Sequence, residues 1–157
     1  MSDPVVTIAP NARAPWVPLL ELADEPEPLR RYLDEGVLYG ITDDAGEPLA
    51  AVLVIEVDDR TAELRAVAVA ERAQGRGFGT EIVGDVSRTL RARGKRVIVG
   101  TASSGTRQLA FYQRLGFRLT HVERDYFRAA NGYPAGLEEA GIPTRDMVWM
   151  ELDGDPS

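Results

Sequence analysis

Glu63-Leu64-Arg65-Ala66-Val67-Ala68-Val69-Ala70-Glu71-Arg72-Ala73-Gln74-Gly75-Arg76-Gly77-Phe78-Gly79 runs from an apolar strand into a loop with glycine at three of its last five positions. From Thr80 to Arg93 the period changes: Ile82, Val83, Val86 and Leu90 fall on one helical stripe, with Glu81, Asp85, Arg88 and Arg91 facing away. The order is strand, glycine loop, helix. At such a junction the first helical N–H groups lack partners, the macrodipole adds partial positive charge, and glycine lets an anion come close to the backbone. A phosphate or pyrophosphate is the expected ligand, with a plain tight turn as the competing reading.

Outward from this stretch the chain reads as alternating elements. Arg93-Gly94 stops the helix, and Arg96 to Gly100 is a short β-branched run of the kind buried in parallel sheets. Ser103-Ser104-Gly105 forms a capping cluster before a helix bearing Leu109, Tyr112 and Leu115. Gly116 then sits where a left-handed C′ residue is expected, and Phe117 to Val122 resumes as strand. Upstream, Val37 to Thr42 and Leu49 to Val57 flank the turn Asp43-Asp44-Ala45-Gly46 as a hairpin, and Thr61 to Val69 leads into the glycine loop. A short helix is expected from Glu25 to Glu35, a first strand from Trp16 to Leu22, and an arm over Met1 to Pro15. Asp125 to Gly141 is an irregular, aromatic loop before a last strand, Thr144 to Leu152. These elements predict a mixed α/β (α+β) fold: one central sheet of six to seven strands flanked by helices, antiparallel at first and with a right-handed crossover in the middle.

Composition bounds the function. With 157 residues, 44% apolar and 27% charged, the chain suits one domain spanning 1–157. It has no cysteine and one histidine, His121, which excludes disulfides, thiolate metal sites, a cysteine nucleophile and a multi-histidine metal centre. No leader pattern opens the chain and no apolar run reaches about 18 residues, so a cytoplasmic protein with no membrane partner is expected. The net charge of −7 speaks against nucleic acid. It is unevenly spread: residues 1–61 carry 4 basic and 13 acidic groups (−9), residues 62–120 carry 11 and 4 (+7), and residues 121–157 carry 3 and 8 (−5). The positive segment is the one that holds the glycine loop.

Two nucleotide folds compete for that loop. A dinucleotide fingerprint, G-x-G-x-x-G, would need a third glycine at Thr80 and an acid at the end of the next strand, and a P-loop would need Gly-Lys-Ser/Thr; none of these is present. Gln74-Gly75-Arg76-Gly77-Phe78-Gly79 resembles instead the Q/R-x-x-G-x-G/A signature of the GNAT superfamily of acetyl-CoA-dependent N-acetyltransferases. Phe111-Tyr112-Gln113-Arg114-Leu115-Gly116-Phe117 resembles a second segment of that family, and the two motifs span residues 62–118 in the family's order. The C-terminal run resembles a less-characterised bacterial subgroup.

The resemblance implies the GNAT fold, with acetyl-CoA as co-substrate and no metal. It implies pyrophosphate binding by the backbone N–H groups of Gln74, Gly75, Arg76, Gly77, Phe78, Gly79 and Thr80, and pantetheine pairing at Val67 and Val69. Where the family often opens its second helix with asparagine, this chain has Ser103 and Ser104, and Ser104 is the candidate for a contact to the CoA arm. The family uses the tyrosine at Tyr112 beside the leaving thiolate, and some members carry a carboxylate base where Glu63 stands.

The chemistry asks for such groups. An alkylammonium with pKa about 10.4 is deprotonated at pH 7 in roughly one molecule in 2,500, a cost of about 4.6 kcal/mol, so a proton acceptor is needed. Glu63 meets that need if desolvated. Tyr112 near pKa 10 giving its proton outright to a thiolate near 8.5 runs uphill by about 2 kcal/mol, which favours hydrogen bonding over full transfer. An N–H of the strand at Val67 or Val69 would serve the developing oxyanion. His121 has no assigned role. Trp16, Glu56, Tyr126 and Phe127 are candidates to line an acceptor pocket, with Trp149 expected in the core and Arg107 at the CoA phosphates or in solvent.

The acceptor is expected to be a small-molecule or peptide amine, chosen by residues 24–36 and 125–143. The long loop before the last strand is a candidate dimer contact. The alternative function is a CoA-binding sensor or regulatory module without turnover.

Overall fold

In a computed structural model of the protein, described over residues 4–153, the sheet contains β1 (Val6–Ile8), β2 (Val37–Thr42), β3 (Pro48–Asp58), β4 (Thr61–Val69), β5 (Arg96–Ala102), β6 (Phe117–Glu123) and β9 (Met147–Leu152). Their order is β1-β2-β3-β4-β5-β9-β6. All neighbours pair antiparallel except β4 and β5, joined by the crossover helix α3 (Phe78–Ala92). A small separate hairpin, β7 (Glu138–Glu139) with β8 (Ile142–Pro143), interrupts the long loop. Helices α3 and α4 (Thr106–Arg114) cover one face of the sheet, where Ile82, Val83, Val86, Leu90 and Tyr112 join Val52, Leu64, Val97 and Met150 in one core. Helices α1 (Val17–Leu20) and α2 (Pro26–Tyr32) cover the other face, with Leu20, Leu29 and Tyr32 packed on Leu38, Leu53 and Ala66. No helix of the described residues is long and apolar enough to cross a membrane.

Local chemistry fixes these boundaries. The Asp43 carboxylate accepts the N–H groups of Ala45 and Glu47, both at 2.9 Å, and Gly46 turns with φ +83°, closing the β2–β3 hairpin. The backbone donor at Glu47 is the main reason the Asp43 carboxyl is held below its usual range. Helix α3 ends in a Schellman arrangement, with Lys95 N–H to the Leu90 carbonyl at 3.1 Å, Gly94 N–H to that of Arg91 at 2.9 Å, and Gly94 left-handed at φ +79°. Gly116, at φ +102°, takes the expected left-handed position after α4.

The N-terminal expectations need correction. Trp16 to Leu22 is not a strand: Ala14–Trp16 is a 3₁₀ turn and Val17–Leu20 a helical turn, each with proline in its first two positions. Proline in the first turn costs no hydrogen bond and presets helical φ, while the Trp16 ring lies where a side chain on Gly40 would have to be, 2.3 Å from a Cβ built there. Residues 4–15 do not form an arm either, and Met1, Ser2 and Asp3 lie outside the described residues. Val6–Ile8 adds an edge strand to β2, and buried Arg13 donates to the carbonyls of Leu33 and Gly36, both at 2.7 Å.

Candidate functional site

Strands β4 and β5 pair only over Thr61–Arg96, Ala62–Val97 and Glu63–Ile98, although β4 runs on to Val69 and β5 to Ala102. The cause sits in β4. Leu53 faces Ala66 but Val54 faces Leu64, so Arg65 is an extra, bulged residue. Before it, Ala62 and Leu64 point into the α3/α4 core; after it, Ala66 and Ala68 point into the α1/α2 core. The strand bends at Arg65 and the sheet parts, leaving Val67 and Val69 on the open edge.

The glycine loop lies at the end of this opening. Gly75 (φ +78°) and Gly77 (φ +87°) are both left-handed, and a Cβ built on either would meet nothing within 4 Å, so the backbone there is bare. Gly77 is the N-cap of α3 and supplies no side-chain cap, leaving the N–H groups of the first turn free for a ligand. Phe78 is buried beneath the loop, and the exposed Arg76 guanidinium lies 5.1 Å from its ring centroid. Gln74 Nε2 donates to the Val69 carbonyl at 3.1 Å, tying the loop to the strand end, while Thr80 is exposed at the start of the helix. Much of the positive charge of this segment is spent elsewhere: Arg72 pairs with Asp43, Lys95 with Glu56, Arg96 with Glu151 and Arg118 with Asp153. Arg76 is the basic side chain left at the loop.

A cleft of about 430 Å³ opens from the parted strands. Its floor carries Glu63, Arg65 and Val67 from β4, Val99 to Ala102 from β5, and Tyr112 from α4. Tyr112 is buried, edge-on to Phe111 at 5.1 Å and to Phe117 at 5.6 Å, and burial alone pushes its phenol well above the ordinary tyrosine range. Glu63 is 5% exposed, and burial also raises its carboxyl, against the opposing charge of Arg65. Arg65 Nε lies 3.0 Å from Glu63 Oε2, yet its N–H makes no well-aligned hydrogen bond, so the contact is an ion pair with loose geometry. The other wall comes from residues 21–26 and from the 126–144 loop, including Tyr126, Phe127 and Tyr133.

Other candidates fall differently. Ser104 is fully buried with its hydroxyl 3.1 Å from that of Thr144, and the N-cap of α4 is Gly105, with no side-chain cap. Ser104 therefore offers no exposed surface to a CoA arm. Glu56 is exposed and paired with Lys95, and Trp16 is buried at Gly40; neither lines the cleft. Trp149 is half-buried rather than core, stacked on His121 at 6.3 Å with its indole N–H on Glu123. Arg107 is exposed on the first turn of α4. Asp24, Tyr32 and Tyr133 lie in the stretches 24–36 and 125–143 expected to choose the acceptor but are not individual candidates in the sequence: the Asp24 carboxylate accepts both phenols, that of Tyr133 at 2.9 Å. Asp24 lies among so many acids between Glu21 and Glu35 that no signal marks it.

The sheet parts beside an uncapped helix N-terminus, and a buried phenol and a buried carboxylate line the same cleft. Residues 9–117 match the Acetyltransferase (GNAT) family, and the chain belongs to it. It is 37% identical over 138 residues to an uncharacterized N-acetyltransferase, YvbK, of Bacillus subtilis (strain 168), covering 86% of each chain. A GNAT family acetyltransferase from Elizabethkingia anophelis with acetyl-CoA bound shares the fold with a TM-score of 0.87 at 29% identity, over 96% of this chain and 97% of that one. A Bacillus subtilis acetyltransferase in complex with CoA aligns with a TM-score of 0.85 at 28% identity, over 98% and 99%.

Proposed function

We propose that this acetyltransferase moves an acetyl group from acetyl-CoA to a primary amine by direct attack in a ternary complex. The observation that carries the reading is that one cleft brings the buried Glu63 and Tyr112 to the place where β4 and β5 part. Acetyl-CoA supplies the thioester. The open edge at Val67 and Val69 and the bare glycines of the loop fit its pantetheine and pyrophosphate, in keeping with the relatives that bind acetyl-CoA or CoA.

In this reading Glu63 takes a proton from the acceptor's ammonium, and the neutral amine attacks. Desolvation has moved its carboxyl toward the working pH, which an ordinary glutamate near 4.3 would not reach. An N–H of the β4 edge at Val67 or Val69 receives hydrogen-bonding demand from the carbonyl oxygen as it gains charge. The N–C bond forms as the C–S bond breaks, and the electron pair stays on sulfur. Tyr112 donates a hydrogen bond to that sulfur and keeps its own proton, because its raised pKa makes outright donation still more uphill than for an ordinary phenol. Two protons leave the nitrogen in all: the one taken by Glu63 passes to solvent, and the one lost as the amide forms reaches the leaving thiolate, so the products are an amide and a free thiol.

Thiol release over a panel of amines tests this reading. Turnover that falls by about 10²-fold or more in Tyr112→Phe, with little change in KM for acetyl-CoA, is expected for a group acting on the leaving sulfur. Undiminished turnover in that variant removes Tyr112 from the mechanism, and absence of turnover with every amine favours a CoA-binding sensor.

A further inference from the structure

Beyond the reacting centre, the cleft has a second polar focus. Asp24, between α1 and α2, accepts the hydroxyls of Tyr32 and Tyr133, so its charge is held in one orientation at the cleft wall. The Tyr133 ring lies 4.8 Å from Phe127 and 6.0 Å from Tyr126, giving that end an aromatic lining. Glu21, Asp24, Glu25, Glu63, Glu138 and Glu139 line the cleft against a single base, Arg65, a formal balance of six acids to one base. Arg65 is already committed: its Nε lies 3.0 Å from Glu63 and its guanidinium lies 4.7 Å over the Tyr32 ring. Glu63, more than nine-tenths buried, meets no other cation in an ion pair among the described residues.

An acceptor whose only basic group is the reacting amine does not answer this arrangement. Its nitrogen must be neutral to attack, so it brings no lasting positive charge to a wall of carboxylates. We propose that the natural acceptor is a diamine or polyamine. One amine reacts at Glu63 and Tyr112, and a second, still protonated, is held at Asp24 between the Tyr126, Phe127 and Tyr133 rings. Charge-assisted hydrogen bonding and ring faces both favour an ammonium there. This rests on the amine-acetylating reading above and leaves its step unchanged: the free amine becomes an amide, the thioester becomes a thiol, and the distal ammonium keeps its proton throughout.

Matched four-carbon acceptors decide the matter: 1,4-diaminobutane, butylamine and 4-aminobutanoate, each followed by thiol release at saturating acetyl-CoA. The diamine is expected to exceed butylamine in kcat/KM by about tenfold or more, the scale of one charge-assisted contact, with 4-aminobutanoate poorest and the preference shrinking as salt rises. In Asp24→Asn, checked for folding by its melting curve, the diamine-to-butylamine ratio should collapse to within about threefold. The double variant Glu138→Gln, Glu139→Gln, on the exposed rim, should lower the same ratio should Asp24→Asn fail to fold. Equal use of butylamine and diamine, or preference for 4-aminobutanoate at Arg65, overturns the inference while leaving amine acetylation standing. Turnover of no amine at all overturns both.

Discussion

At the scale of single residues, Glu63 and Tyr112 draw opposite uses from the same physics. Burial raises both groups; in the proposed mechanism this makes the carboxylate a better base, whereas it keeps the phenol a neutral hydrogen-bond donor. Glu63 must be ionised to accept a proton, so kcat/KM should fall on the acid side through a pKa above the ordinary glutamate range. Glu63→Gln should lose that acid limb along with about 10²-fold or more of the rate. A pH–rate profile reads both; an acid limb that survives unchanged in Glu63→Gln assigns the base elsewhere. Both residues stood out as candidates in the sequence, Tyr112 inside the second motif and Glu63 eleven residues before Gln74, and both line the cleft. Arg65 did not stand out: nothing in Glu63-Leu64-Arg65-Ala66 marks a bulge, since Ala66, Val67, Ala68 and Val69 are all apolar and a register slip leaves no break in alternation.

At the scale of elements, the strand-loop-helix unit is the part the sequence specified most completely. Its glycines do different jobs. Gly77 is required by its left-handed φ of +87°, and a Cβ there would clash with nothing but would hold the loop in a strained conformation. Gly77→Ala should therefore cost about 1–2 kcal/mol of stability and raise KM for acetyl-CoA more than it lowers kcat; a thermal melt and a KM measurement check the two parts. Gly40 is required by space instead, with Trp16 filling the place of its side chain. Gly40→Ala should cost about 1–3 kcal/mol and leave KM alone if the protein remains folded. The helical turns at Trp16 escaped the sequence reading because seven residues are too few to separate periods of 2 and 3.6. The prolines at 15 and 18 carried the deciding signal.

At the scale of the whole molecule, the same burial that sets the site ties stability to alkaline pH. Tyr32, Tyr112 and Tyr133 are each less than a tenth exposed, and burial holds each phenol above its ordinary value, reinforced at Tyr32 and Tyr133 by the Asp24 charge. In the unfolded chain all three ionise near pH 10. Above that the unfolded state gives up protons that the folded state keeps, so it binds fewer protons and stability must fall as pH rises. The contribution is whole below about pH 10. By about pH 11 each phenol has lost about 1.4 kcal/mol, together about 4 kcal/mol of a total that in domains of this size is commonly 5–15 kcal/mol. Melting curves over this window should show a drop of roughly 8–16 °C. Tyr112→Phe should recover about a third of it. The drop belongs to these phenols only if their absorbance stays that of neutral tyrosine until the protein unfolds. Phenolate appearing near pH 10 in the folded protein, with a flat melting temperature, would show that the cleft leaves them in contact with water.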